Sequence, residues 1–110
     1  MAKLKLVALT KAVAGREAEF DRWYDDTHVP ELLALNGVEN AQRYKLITTL
    51  NGAEQGTFLA LYDVEVDDPA SFLGEMGEVA ASGKMSMTDS MDSTIGYAAL
   101  FVEHGGLVTR

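Results

Sequence analysis

Apolar and polar positions alternate along the chain with two different periods, and the switches between them divide it into six segments. Residues 3–11, KLKLVALTK, repeat every second position: Leu4, Leu6 and Ala8 point one way, Lys5, Val7 and Leu9 the other. This predicts a strand with two largely covered faces. After Gly15 the period lengthens to that of a helix. Phe20, Trp23, Tyr24, Thr27 and His28 fall on one face, and Glu19, Arg22, Asp25 and Asp26 on the other. Glu17 and Glu19 suit the positive end of the helix dipole. Pro30 disfavours helical geometry at Val29, which predicts a break. Glu31 to Leu35 adds another turn or two, closed by Asn36-Gly37.

The second half repeats the plan. Val38 to Thr49 predicts a long strand, with Ala41, Arg43, Lys45 and Ile47 on one face and Gln42, Tyr44, Leu46 and Thr48 on the other. Asn51-Gly52 marks a turn, and Thr57 to Val66 reads as the next strand. Asp68 is the expected cap and Pro69 the first residue of a helix that runs to about Ala81. Its inward residues are Phe72, Leu73, Met76, Val79 and Ala80. Residues 82–93, SGKMSMTDSMDS, fit neither period. Thr94 to Glu103 alternates Ile95, Tyr97, Ala99 and Phe101 against Gly96, Ala98, Leu100 and Val102, as a last strand would.

The order βαββαβ predicts an α+β, ferredoxin-like fold in a single domain, 1–110: four antiparallel strands with two helices on one face. Helices can cover only one face of such a sheet. Yet Val7, Ile47, Phe58, Tyr62, Ile95, Tyr97 and Phe101 supply apolar groups to both. The open face predicts a homodimer in which two sheets pair into a barrel.

Composition narrows the function classes. Net charge is −8, with the acidic residues spread along the chain, so phosphate backbones and anionic membranes are poor partners. The chain has no cysteine, which excludes disulfides, thiol nucleophiles and thiolate metal sites. No apolar run approaches the roughly 20 residues that span a bilayer. The first residues, MAKLKLVALTKAVAG, superficially resemble a signal peptide, but Thr10 and Lys11 break the run and it alternates like a strand. A cytoplasmic location is therefore expected. No phosphate-binding glycine loop, nucleophile elbow or dinucleotide fingerprint occurs, since Gly74 and Gly77 lie inside a helix pattern. No cofactor and no metal are expected.

The segment Trp23-Tyr24-x-x-x-His28-Val29-Pro30-x-Leu32-Leu33-Ala34-Leu35-x-Gly37-Val38 resembles the EthD-like group of the dimeric α+β barrel superfamily. In that group a helix ending in histidine leads through a short apolar turn and a Pro-Gly-hydrophobic step into strand two. Here Asn36-Gly37-Val38 replaces the usual Pro-Gly, and Arg43-Tyr44 fits the polar-aromatic pair often found on strand two. The residue-level match is confined to about residues 20–44. The resemblance implies an apolar pocket between sheet and helices for an aromatic or polyketide-like molecule. It does not choose among the chemistries of the superfamily, which include polyketide cyclases, muconolactone isomerases, anthrone dehydratases or decarboxylases, cofactor-free quinol monooxygenases and haem-degrading enzymes.

Several side chains are candidates for that pocket. His28 is the first choice as general acid/base, because neutral imidazole exchanges protons near pH 7; capping of helix carbonyls is its structural alternative. Tyr24, one helical turn earlier, is placed to share its proton network; Asp25 and Asp26 read first as a solvated helix face, with Asp25 the better placed of the two to orient His28. Arg43 is a candidate to hold a substrate carboxylate or phenolate, with an ion pair as the commoner role. Trp23, Phe20, Tyr44, Tyr62 and Tyr97 are candidate substrate contacts, against core or interface packing. Met85 and Met87, with Met91, read as a mobile apolar lid, or else as a loop with incidental methionines. His104 sits at a strand end beside two glycines and matches no metal-ligand spacing. The leading expectation is a lyase, isomerase, cyclase or dehydratase acting on a small hydrophobic, aromatic or cyclic oxygenated substrate. A cofactor-free quinol-type oxygenase and a non-catalytic ligand-binding or stress-response protein are the alternatives.

Overall fold

In the computed structural model, which describes all of residues 1–110, the alternating segments form one antiparallel sheet. Its strands are β1 (Ala2–Thr10), β2 (Val38–Lys45), β3 (Phe58–Val66) and β4 (Tyr97–Val102), in the spatial order β2-β3-β1-β4. On the central pair, Leu4 lies opposite Val64 and Leu6 opposite Tyr62, and all four side chains are buried. This face carries the helices. The fold is α+β, with the predicted βαββαβ order.

The first helical layer is continuous, in three pieces: α1 (Glu17–Trp23), a π-helical turn (Tyr24–His28) and α2 (Val29–Leu33). The break expected at Pro30 is absent, and the π turn explains why. In an α-helix Pro30 would leave the Asp26 carbonyl without its donor and press its ring against it. Widening the preceding turn relaxes that conflict; the Val29 N–H reaches back five residues to the Tyr24 carbonyl. Phe20, Tyr24, Leu32 and Leu35 of this layer are buried against the sheet, and Phe72 enters from α3 (Pro69–Ala81). Asp68 caps α3 as expected, accepting the Ala70 N–H at 3.1 Å. Gly37 turns the chain from α2 into β2 at φ 95°, where a side chain would strike Val66.

Two strands are shorter than the alternation predicts. β2 ends at Lys45, and Ile47 lies beyond it, 97% exposed. β4 begins at Tyr97, because Thr94 and Ile95 are taken into a turn on Asp92. Ile47 and Ile95 therefore add nothing to the sheet faces. The face away from the helices carries Val7, Leu9, Leu59, Leu61, Tyr44, Ala99, Tyr97 and Phe101, by register with the buried rows. Tyr44, Tyr97 and Phe101 are each about half exposed there, at 49%, 46% and 50%. No helix is long and apolar enough to cross a membrane.

Candidate active site around His28

The π turn decides which aromatic rings meet. Its hydrogen bonds run i to i+5, so residues five apart lie one above the other. Trp23 and His28 are such a pair, and their rings stack at 4.8 Å with planes 15° apart. Tyr24 meets His28 edge-on at 4.9 Å. An ordinary α-helix would rotate Trp23 away from His28, which is why i, i+4 spacing singles out the Tyr24 contact alone.

Trp23, Tyr24 and His28 border an open cavity of about 450 Å³. Its other walls are the ends of β1 and β4 and the segment from Met85 to Gly96. Met85, Met87 and Tyr97 line it, as does Met91. The methionine segment is less free than a mobile lid. Its rear half is tied to the chain before α1: Val13 donates to the Ser90 carbonyl at 2.7 Å, Asp92 to Lys11 at 2.7 Å, and Arg16 grips Asp89. Its front half is held by the Ser86 N–H, which donates to Glu31 Oε2 at 2.8 Å.

His28 is largely enclosed, with 22% of its side chain open. Nδ1 is fully buried without a hydrogen-bond partner and stands 4.0 Å from Glu31 Oε1, itself buried and unpartnered. The accessible edge of the ring is therefore Nε2. Burial lowers the pKa of His28 below its ordinary value, and Glu31 pulls it part of the way back. The imidazole is neutral at pH 7, the form that accepts a proton. Burial raises the pKa of the Tyr24 phenol, while Tyr62 and Arg43 act the other way. Tyr24 is thus a phenol, not a phenolate, at neutral pH.

Four of the sequence candidates lie elsewhere. Phe20 is fully buried among Trp23, Tyr24 and Phe58, because its helical position points straight down at the sheet. Tyr62 is fully buried on β3. Its hydroxyl makes no hydrogen bond of acceptable geometry, although it lies near enough to Tyr24 for each phenol to perturb the other; burial and Tyr24 hold its proton on tightly. Arg43 clamps β2 to α1 and the π turn, donating to Asp21 and Asp25 at 2.9 Å each, with its guanidinium 4.5 Å above the Tyr24 ring. Burial alone would weaken that charge, but the two carboxylates outweigh it. With Asp25 on Arg43, the carboxylate beside His28 is Glu31. Tyr44 lies on the open sheet face and does not line the cavity. His104 is exposed beyond β4, and no three His, Asp or Glu side chains are grouped to hold a metal ion. Glu31 is the residue that sequence reasoning missed. Its signal was the His28-x-x-Glu31 spacing, obscured by the break expected at Pro30.

A second hollow, of about 430 Å³, lies at the far end of the sheet. Lys3, Lys5, Asp63, Glu65 and Glu103 surround it, and Lys5 is paired with Asp63. It holds no histidine, and Phe101 is its one aromatic residue.

No protein-family model matches the chain, and no curated protein matches it either. Solved structures do match. An ethyl tert-butyl ether D (EthD) family protein from Bacillus halodurans superposes with a TM-score of 0.63 at 22% identity, over 94% of this chain and 100% of its own. A candidate monooxygenase from Shewanella loihica gives 0.59 at 15% identity, over 100% and 98%. HapK from Hahella chejuensis gives 0.51 at 16% identity, also over 100% and 98%. The chain thus shares its α+β fold with these proteins, an EthD family protein among them.

Proposed function

We propose that this protein is a small cofactor-independent enzyme that moves a proton on a hydrophobic, aromatic or cyclic oxygenated metabolite. The observation that carries this reading is a largely enclosed imidazole on the wall of an apolar cavity, its pKa lowered by burial and its Nε2 edge accessible. Apolar walls with a few convergent polar groups suit such a ligand. Trp23 offers a flat surface for a ring, and Tyr24, almost fully buried, backs the imidazole edge-on. His28 Nε2 takes a proton from carbon or oxygen and returns it elsewhere on the same molecule, which serves isomerisation, cyclisation or elimination.

A second copy completes this picture in our reading. The open sheet face is apolar over Val7, Leu9, Leu59 and Leu61, and the mutually paired Lys5 and Asp63 follow next along the two central strands. A two-fold pairing of such faces would bury Leu61, Val7 and Phe101 at once. Leu9 and Tyr97 belong both to that face and to the cavity wall, so the partner would narrow the cavity mouth.

The test is exchange in deuterated water. Incubation with cyclic β-diketones, naphthols and phenolic ketones is expected to label an acidic C–H of at least one compound faster than buffer does, without oxygen uptake. The likeness to a candidate monooxygenase favours a second reading, a cofactor-free oxygenase in which the deprotonated substrate itself activates oxygen. Oxygen consumption with a quinol would support that reading and displace the first. Tight binding with neither exchange nor oxygen uptake would make the protein a ligand carrier.

A further inference from the structure

The carboxylate of Glu31 faces two ways. Oε2 accepts the Ser86 N–H at 2.8 Å and so holds the front of the methionine segment, where Met85, Ser86 and Met87 line the cavity. Oε1 stands 4.0 Å from His28 Nδ1. Both of those atoms are buried, and neither has a hydrogen-bond partner. Burying a donor and an acceptor unpaired is costly, and a closure of about 1 Å would join them in a normal hydrogen bond. Hydrogen bonds of catalytic groups are often this long in ligand-free structures and tighten when the ligand arrives.

We propose that Glu31 is the positioning residue for His28 and that the same carboxylate latches the methionine segment over the cavity, so that loop closure and the choice of imidazole tautomer are one event. With the proton on Nδ1 and directed at Glu31, Nε2 is left as the acceptor facing the cavity. When Nε2 takes a proton from the ligand, the carboxylate stabilises the imidazolium. The spacing follows from the backbone: α2 places Glu31 three residues after His28, on the same side of the helix. The other ionisable groups bordering the cavity do not compete for Nδ1. Tyr24 meets the ring edge-on, and Tyr97 lies across the cavity on β4. Asp92 has Oδ1 committed to the Thr94 N–H at 2.9 Å and the Thr94 hydroxyl at 2.6 Å.

This assignment rests on the reading of His28 as the proton-transfer group, but it is tested without a substrate. Nitrogen-15 NMR of the imidazole distinguishes the two tautomers, with the exposed His104 as internal reference. In the wild type His28 is expected to be predominantly the Nδ1–H form. Glu31→Gln can still accept from Ser86 through its amide oxygen, while its NH₂ group would donate to Nδ1. The tautomer preference should then invert to Nε2–H, and the His28 pKa should fall further. Glu31→Ala should also speed hydrogen exchange at the Ser86 amide by about tenfold or more, as loss of a charged hydrogen bond requires. A wild-type His28 in the Nε2–H form, or a Glu31→Gln protein with unchanged tautomer and pKa, would overturn the positioning role. Unchanged Ser86 exchange in Glu31→Ala would overturn the latch. If all these shifts appear and no compound is turned over, the positioning and latching roles of Glu31 stand and the enzymatic reading fails.

Discussion

His28→Ala is expected to lose about 10²- to 10⁴-fold of the exchange activity while keeping its fold, the range that general acid–base groups contribute. The fold should survive because His28 makes no side-chain hydrogen bond and lies at a cavity wall, outside the buried cluster around Phe20, Tyr24 and Tyr62. Trp23 and Tyr24 remain in place through their own contacts with Phe20. The wild-type activity should also depend on pH in one direction. Because burial holds the folded pKa of His28 below its ordinary value, the base form predominates at pH 7 and is lost as pH falls through that lowered value. Stability has the same sign. The unfolded chain takes up this proton near pH 6.5 and the folded chain resists it, so the stabilisation present above 6.5 disappears on acidification. A His28→Ala protein that folds normally and retains full exchange would remove His28 from the chemistry.

Leu61→Asp should convert a dimer into a monomer without unfolding the chain. Leu61 lies mid-strand on β3, opposite Val7 of β1 and Gln42 of β2, on the face without helices. The buried side chains on the other face, Leu4, Leu6, Tyr62 and Val64, are untouched by the change. In a two-fold pairing each copy contributes one aspartate, and removing an unpaired carboxylate from water costs several kcal/mol per ion. Even about 4 kcal/mol weakens association roughly a thousandfold. Sedimentation equilibrium at micromolar concentration should give twice 11.9 kDa for the wild type and the single-chain mass for the variant. A monomeric wild type would contradict the barrel-dimer proposal. The mouth of the His28 cavity should then widen in the variant as well, since Leu9 and Tyr97 serve both surfaces.

What the sequence made legible was mostly what periodicity encodes. α3 runs from Pro69 to Ala81 as its Asp68-Pro69 start implied, and β3 and β1 lie within a residue of expectation at each end. Strand ends were less legible, because alternation continues through Leu46–Thr48 and Thr94–Gly96, whereas β2 ends at Lys45 with one further backbone bond from Leu46 to Thr57, and Thr94 and Ile95 turn on Asp92. At the site, His28, Tyr24 and Trp23 could be singled out by type and spacing. The π turn could not, since apolar patterning barely distinguishes a 3.6-residue turn from a wider one. That hid both the Trp23–His28 stack and the reach of Glu31. For Arg43 an ion pair was the commoner of its two expected roles, but its partners were not legible. Its partners Asp21 and Asp25 are 22 and 18 residues away, and a pairing across a sheet and a helix leaves no local signal.

The central claim is that the cavity beside His28 is where a ligand binds. The most direct measurement is backbone and side-chain NMR shift mapping during titration with a small naphthol or phenolic ketone. The account predicts that shifts concentrate on Trp23, Tyr24, His28, Met85 and Met87, and that the Trp23 indole and the methionine methyls move first. Shifts confined to the charged hollow around Lys3, Asp63 and Glu103, with the His28 cavity silent, would contradict it.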